Sequence, residues 1–285
     1  MWKQQFIHTD RGIFELFTKG HGDPLCITHL YSQFNETGDY FADSFTSLHK
    51  VILINLKDAG NSITASQEDE LSMKETIQDL EAIREALHIS SWHFAGHSTG
   101  GMVGLMYAIN YPQSLLSLLV VGAAASDYSK TKDCIYHPEH PQFSYMQQLI
   151  EDLKLPHLTK EERTTLSTER TKLSLHRPSQ YETYFSKPIY KTMAASRMNY
   201  FAKEFRSFDL REQLASIATK TLIICGKHDV QCPVAYSVQI QEGIANSSFI
   251  PFEDSNHYPF LEEEAKFSSI ITAFYHSLTE GSEHL

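Results

Sequence analysis

Short apolar runs rich in β-branched residues alternate along this chain with longer segments of helical period, a pattern that predicts a mostly parallel sheet with crossover helices. Eight runs read as strands: QFIHT, IFELFT, LCITH, VILINL, WHFAGH, SLLVVGA, TLIICG and SSFIPFE. The first two lie too close in sequence for a helical crossover, so they are expected to enter the sheet as an antiparallel pair. Three helices are marked by spacing. SMKETIQDLEAIREALHI opens with Ser72 and Glu75 in capping-box register and repeats apolar residues at Met73, Ile77, Leu80 and Leu87. A second helix places Met102, Leu105, Met106 and Ile109 on one side, and the last does the same with Phe267, Ile270, Ile271, Phe274 and Leu278. All three should dock on the sheet, and the final TEGSEHL should fray.

The rhythm stops between Ala125 and about Ser216, for roughly 90 residues, far longer than a structureless connection. Residues 125–216 are therefore expected to form a helical cap subdomain inserted after the sixth strand, with 1–124 and 217–285 as the core. Polar helical sequence there, TKEERTTLSTERTKL, is interleaved with Phe143, Tyr145, Met146, Tyr181, Tyr184, Phe185, Tyr190, Met193, Met198, Tyr200 and Phe201. Such a stripe builds a small helical core first, and a cap over a pocket can use the same residues for both purposes.

Composition narrows the function classes. The 285 residues are 41% hydrophobic, enough for a sizeable core, and the formal charge of −11 leaves no basic stripe for nucleic acid. The start, MWKQQFIHTDRG, lacks the apolar stretch of a signal peptide, and the longest apolar runs are too short to span a bilayer, so a cytoplasmic protein is expected. Cys26, Cys134, Cys225 and Cys232 fit neither a disulfide framework nor paired zinc spacing. They are expected to be free, with Cys26 and Cys225 serving as small apolar residues in buried strands. No phosphate loop or dinucleotide fingerprint appears, so no cofactor is expected. His137-Pro138-Glu139-His140 gathers two imidazoles and a carboxylate, but the proline breaks any helix and no partner ligands recur, so no metal is expected.

The candidate chemistry centres on HFAGHSTGGMVG, which concentrates four of the 13 glycines around Ser98. Gly96-His97-Ser98-Thr99-Gly100 matches G-x-S-x-G, and it follows a strand directly and precedes an amphipathic helix. That position makes Ser98 a candidate nucleophile at the carboxyl edge of a parallel sheet. A serine needs a base supported by a carboxylate. TLIICGKHDVQCP puts Asp229 after the seventh strand, and SSFIPFEDSNHYPFLEEE puts His257 between the last strand and the last helix. The order Ser98, Asp229, His257 is the one expected at this edge. Asp254 is a competing carboxylate, disfavoured because three residues of separation cannot comfortably reach the far ring nitrogen. The backbone N–H of Tyr31, after LCITH, should lie beside that of Thr99 as an oxyanion hole. His29, Leu30, Tyr184, Met193 and Val230 are expected to line the pocket.

With these motifs the chain resembles the α/β-hydrolase superfamily, in the branch of proline iminopeptidases, cytoplasmic esterases and carbon–carbon bond hydrolases. The resemblance runs from Phe6 to Leu278 and is also carried by NLKDAGNS, similar to the family's D-x-R-G-x-G-x-S, by INYPQSLLSLLVVG, by GKHDVQCP and by NHYPFLEE. Departures are specific. His29-Leu30 stands where the family usually has His-Gly, and Lys57-Asp58 where it has Arg-Gly. Thr99 and Lys57 replace a Trp and an Arg of the iminopeptidases, which lowers the peptidase expectation. The resemblance implies a serine hydrolase, a monomer or homodimer, acting through an acyl-enzyme on a small ester-type substrate. The alternatives are an aminopeptidase, for which Glu182 and Glu204 could pair with a substrate ammonium, and a ligand-sensing protein of the same fold without turnover.

Overall fold

A computed structural model describes residues 1–155 and 157–280. All eight apolar runs form strands of one sheet. These are β1 (Lys3–Thr9), β2 (Gly12–Lys19), β3 (Pro24–Ile27), β4 (Lys50–Ile54), β5 (Trp92–His97), β6 (Leu115–Val121), β7 (Thr221–Gly226) and β8 (Ser247–Phe252). Their order across the sheet is β1-β2-β4-β3-β5-β6-β7-β8. Strand β2 runs antiparallel to both its neighbours, as the short β1 to β2 connection requires, and every other pair is parallel. The helices of ten or more residues are α1 (Met73–Ala86), α2 (Thr99–Asn110), α3 (Phe143–Leu153), α4 (Lys160–Lys172), α5 (Ala195–Glu204), α6 (Val234–Gly243) and α7 (Glu264–Glu280). Helix α7 runs two residues into TEGSEHL, and the remainder of that segment lies outside the described residues.

Both faces of the sheet are covered. On one face Phe14, Cys26, Ile52, Phe94, Leu118 and Ile223 pack with Met73, Ile77 and Leu80 of α1, Met102 and Leu105 of α2 and Ile240 of α6. On the other, Phe17, Leu25, Ile27, Ala95, Leu119 and Ile224 pack with Phe41, Phe45 and, from α7, Phe267, Ile271 and Tyr275. Neighbours in one strand fall on opposite faces because the side-chain period of a strand is two. Burying each such side chain contributes roughly 1.5–3 kcal/mol, so the core holds the strand edges rigidly for whatever the loops carry. The four cysteines are free and buried.

Local signals act with some exchange of partners. Ser72 caps α1 by accepting from the Glu75 N–H at 3.2 Å, while the Glu75 carboxylate pairs with Arg11 at 2.6 Å instead of returning to the cap. Helix α2 is buried beyond the expected side, with Val103, Gly104, Tyr107 and Ala108 also covered, because it packs on both β5 and β6 and against α1. Between β6 and β7 the chain forms α3, α4, α5 and shorter turns, with Thr159 and Glu162 closing a full capping box on α4. Two residues of this stretch, Thr192–Met193, pair antiparallel with Ser32–Gln33 in a small separate ladder. Among the described residues no helix is long and apolar enough to cross a membrane.

Candidate active site

Ser98 sits where β5 gives way to α2, and its backbone adopts φ 56° and ψ −125°, a region residues with a Cβ rarely occupy. The surrounding glycines make the turn possible. A Cβ on Gly96 would lie 2.2 Å from the Gly100 carbonyl group, and one on Gly100 would lie 2.3 Å from the Thr28 carbonyl oxygen. Strand, turn and helix therefore run in backbone contact, which explains the glycine density of the motif. The Ser98 N–H donates to the Val121 carbonyl at 2.9 Å and ties the turn to the end of β6.

Asp229 follows β7 in a loop that organises its carboxylate. Oδ1 accepts from the Gln231 N–H at 2.9 Å and the Cys232 N–H at 2.8 Å, and Oδ2 meets His257 Nδ1 at 2.8 Å. Asp229 and His257 are 4% and 2% exposed, so the pair is shielded from solvent. The carboxylate fixes the proton on Nδ1 and leaves Nε2 as an acceptor. Asp254 is exposed and faces Arg177 at 3.5 Å.

Ser98 and this pair approach through their neighbours. His97 Nε2 donates to the His257 carbonyl at 2.8 Å, with the two rings 4.5 Å apart. Gly122, directly after the carbonyl that holds Ser98, has φ +53°, and a Cβ there would stand 3.0 Å from Asp229 Oδ2 and 3.4 Å from His257 Nδ1. The Ser98 hydroxyl itself makes no hydrogen bond among the described residues, to His257 or elsewhere. Burial, and then the positive charge of Lys191, hold His29 well below the usual histidine value, and burial foremost does the same to His97.

Opposite the turn, Thr99 Oγ1 accepts from the Leu30 N–H at 3.3 Å, which sets the loop after β3 beside the start of α2. The Tyr31 N–H is directed at His29 Nδ1 over a long 3.5 Å, and the Thr99 N–H donates to no acceptor among the described residues. Of the expected pocket residues, Leu30 is buried and His29 stands edge-on to Tyr31 at 4.6 Å. Val230 is half-buried, its N–H donating to Asn256 Oδ1 at 3.0 Å, and Tyr184 is half-buried on the turn Tyr181–Tyr184. Met193 is 43% exposed, because its strand is the outer member of the ladder that covers the buried Ser32. In HPEH, His137 Nδ1 and His140 Nδ1 accept from the Glu139 and Gln142 N–H groups, so both rings cap their own turns.

The sequence did not point to Ser174, whose carbonyl accepts the His257 N–H at 3.2 Å, or to Asp39, which pairs with Lys191 at 2.8 Å. Nor did it single out Arg197, which is fully buried beneath the loop after β3. A lone arginine or serine in polar helical sequence carries no signal of such placement. The segment NLKDAGNS did point to a structural node: Asn55 accepts from the Phe34 N–H at 2.8 Å and donates to Glu15 at 2.7 Å. Asp58, where the resembled family has glycine, takes φ 62°.

The profile of the alpha/beta hydrolase fold family matches residues 21–264. The chain belongs to the α/β-hydrolase superfamily. It is similar to an alpha/beta fold family hydrolase of Bacillus anthracis str. Sterne, 44% identical with a TM-score of 0.93 over 96% of this chain and 99% of that one. The AB hydrolase superfamily protein YisY of Bacillus subtilis (strain 168) is 24% identical over 90% of this chain and 93% of its own. A proline iminopeptidase of Lactobacillus helveticus is 23% identical over 78% of each. The chain is thus a hydrolase of this superfamily, with the fold of its structural neighbours.

Proposed function

We propose that this hydrolase cleaves small carboxylic esters with Ser98 as nucleophile, His257 as general base and acid, and Asp229 as the group that orients His257. The observation that carries the reading is the buried Asp229–His257 bond of 2.8 Å beside a serine held at φ 56°. Nε2 of His257 takes the Ser98 proton as Oγ bonds to the ester carbon, and the imidazolium returns it to the departing alcohol. Water then attacks the acyl-enzyme by the same route, releasing the acid and regenerating Ser98. The Ser98 to His257 hydrogen bond forms on substrate binding, as is common where the free site is loose. The N–H groups of Tyr31 and Thr99 receive the oxyanion, aided by the positive end of α2.

Ester is favoured over an N-terminal peptide by the charges around the site. Glu182 is exposed, and Glu204 is engaged at the start of α1, accepting from the Met73 N–H at 3.0 Å, so neither serves a substrate ammonium. The segment 125–216 acts as the selecting lid: Phe201 packs on Tyr31 at 5.7 Å and Phe185 on Tyr258 at 5.7 Å, giving the acyl group apolar walls. Purified protein should turn over p-nitrophenyl acetate and butyrate, leave aminoacyl-p-nitroanilides untouched, and lose ester turnover in Ser98→Ala. Anilide turnover exceeding ester turnover, or full activity in Ser98→Ala, would refute the reading.

A further inference from the structure

Arg197 is 2% exposed, and every hydrogen-bond partner it has is neutral. Nε donates to the Leu30 carbonyl, Nη1 to the Lys57 carbonyl at 3.1 Å, and Nη2 to the Leu71 carbonyl at 3.4 Å and the Thr76 hydroxyl at 2.8 Å. Burial lowers the guanidinium to about 10, which leaves it charged at neutral pH. Asp79, Asp58 and Glu204 lie near enough to offset part of the cost of the buried charge, but none is hydrogen-bonded to it, and an apolar side chain of similar volume would fill the space more cheaply. The direction of Nε supplies a reason for the charge.

The Leu30 carbonyl and the Tyr31 N–H belong to one trans peptide group, in which C=O and N–H point in opposite directions. Holding the carbonyl toward Arg197 therefore turns the Tyr31 N–H the other way. A charge-assisted bond to the carbonyl oxygen also polarises the peptide and strengthens its N–H as a donor. The loop has Leu30 where the resembled family has glycine, so it is held from outside, by segment 192–197. Ser32 pairs with Met193, Gln33 with Thr192, and the Ala194 N–H donates to the Tyr31 carbonyl at 2.8 Å. The peptide is gripped on both sides of Tyr31.

We propose that Arg197 is the positioning residue of the oxyanion site: its guanidinium locks the Leu30–Tyr31 peptide with the Tyr31 N–H turned away from it, where the oxygen of the reacting carbonyl replaces the long contact to His29 Nδ1. This rests on the serine-hydrolase reading above. It makes the inserted segment a part of the catalytic scaffold as well as a lid.

The test compares wild type with Arg197→Met, Arg197→Lys and Thr76→Val in the full chain. Active sites are titrated with a fluorophosphonate, so that kcat for p-nitrophenyl acetate is counted per competent site and misfolded protein drops out. Arg197→Met should lower kcat per site on the order of a hundredfold with KM changed less than about threefold, as for loss of one oxyanion donor. The second-order rate of fluorophosphonate labelling should fall in parallel, and added ethylguanidinium should restore part of both. Thr76→Val, which loosens Arg197 without touching the loop, should shift kcat the same way by about three- to tenfold. If Arg197→Met does not fold, Arg197→Lys decides, with a tenfold or larger fall in kcat expected because one ammonium cannot hold all four acceptors. Turnover and labelling per site within threefold of wild type in the folded variant would overturn the proposal. Absence of Ser98 labelling in wild type would instead overturn the serine-hydrolase reading, so the two failures are distinguishable.

Discussion

Which carboxylate supports the imidazole is decided by one hydrogen bond. Asp229 Oδ2 meets His257 Nδ1 at 2.8 Å, while Asp254 points to solvent beside Arg177. Asp229→Asn should therefore lower kcat on the order of a thousandfold or more by presenting the wrong tautomer, whereas Asp254→Asn should stay within about twofold. Steady-state kinetics on p-nitrophenyl acetate check both, and the reverse ranking would refute the assignment. A second residue-scale prediction concerns His93, which is 6% exposed, bonded to Ser117 Oγ at 2.8 Å, and lowered to about 4 by burial and then by the neighbouring His49. An unfolded chain takes up a proton at this histidine below pH about 6.5, and the folded chain does not until about 4. Stability should thus fall as pH drops through that window, by up to about 3 kcal/mol from this group. Urea unfolding between pH 7 and 4 should show a shallower slope for His93→Gln; an unchanged slope would contradict the assignment. At this scale strand ends mark Ser98, Asp229 and His257 in the sequence, and the structure puts Ser98 on a turn at φ 56° and bonds Asp229 to His257. Arg197 and Ser174 were not, because their partners are distant backbone carbonyls and N–H groups that no local pattern encodes.

Secondary elements carried most of what could be read in advance. All eight strands appear where apolar runs predicted them, the inner ones because they are covered on both faces and so cannot be polar, while the edge strands β1 and β8 stay partly exposed. The ladder between Ser32–Gln33 and Thr192–Met193 could not be read, as two residues show no alternation. Its partners are brought together by distant contacts, among them Asn35 and Thr37 with Tyr190 and Asp39 with Lys191. The expected one-sided α2 proved buried more widely because it packs on β5, β6 and α1 at once. Gly122 yields a prediction for the end of β6. With φ +53° and the Asp229–His257 pair at van der Waals range, Gly122→Ala strains the backbone by about 1–2 kcal/mol and pushes on the pair. Thermal unfolding should fall by a few degrees and kcat by tenfold or more; a drop in stability with full turnover would mean that the pair tolerates displacement.

For the molecule as a whole, the claim is that a rigid sheet presents Ser98, Asp229 and His257 at one edge while the segment between β6 and β7 covers them. Charge and composition fixed the class of partner only coarsely, and the substrate depends on side-chain directions in α4 and α5 that helical period alone does not set. The most direct test of the central claim is covalent. Wild-type protein treated with a fluorophosphonate and digested should carry a single adduct on Ser98 by mass spectrometry. Labelling of His257→Ala should slow by a thousandfold or more, since the hydroxyl then has no base. An adduct on another serine, or a His257→Ala variant labelled at the wild-type rate, would contradict the account.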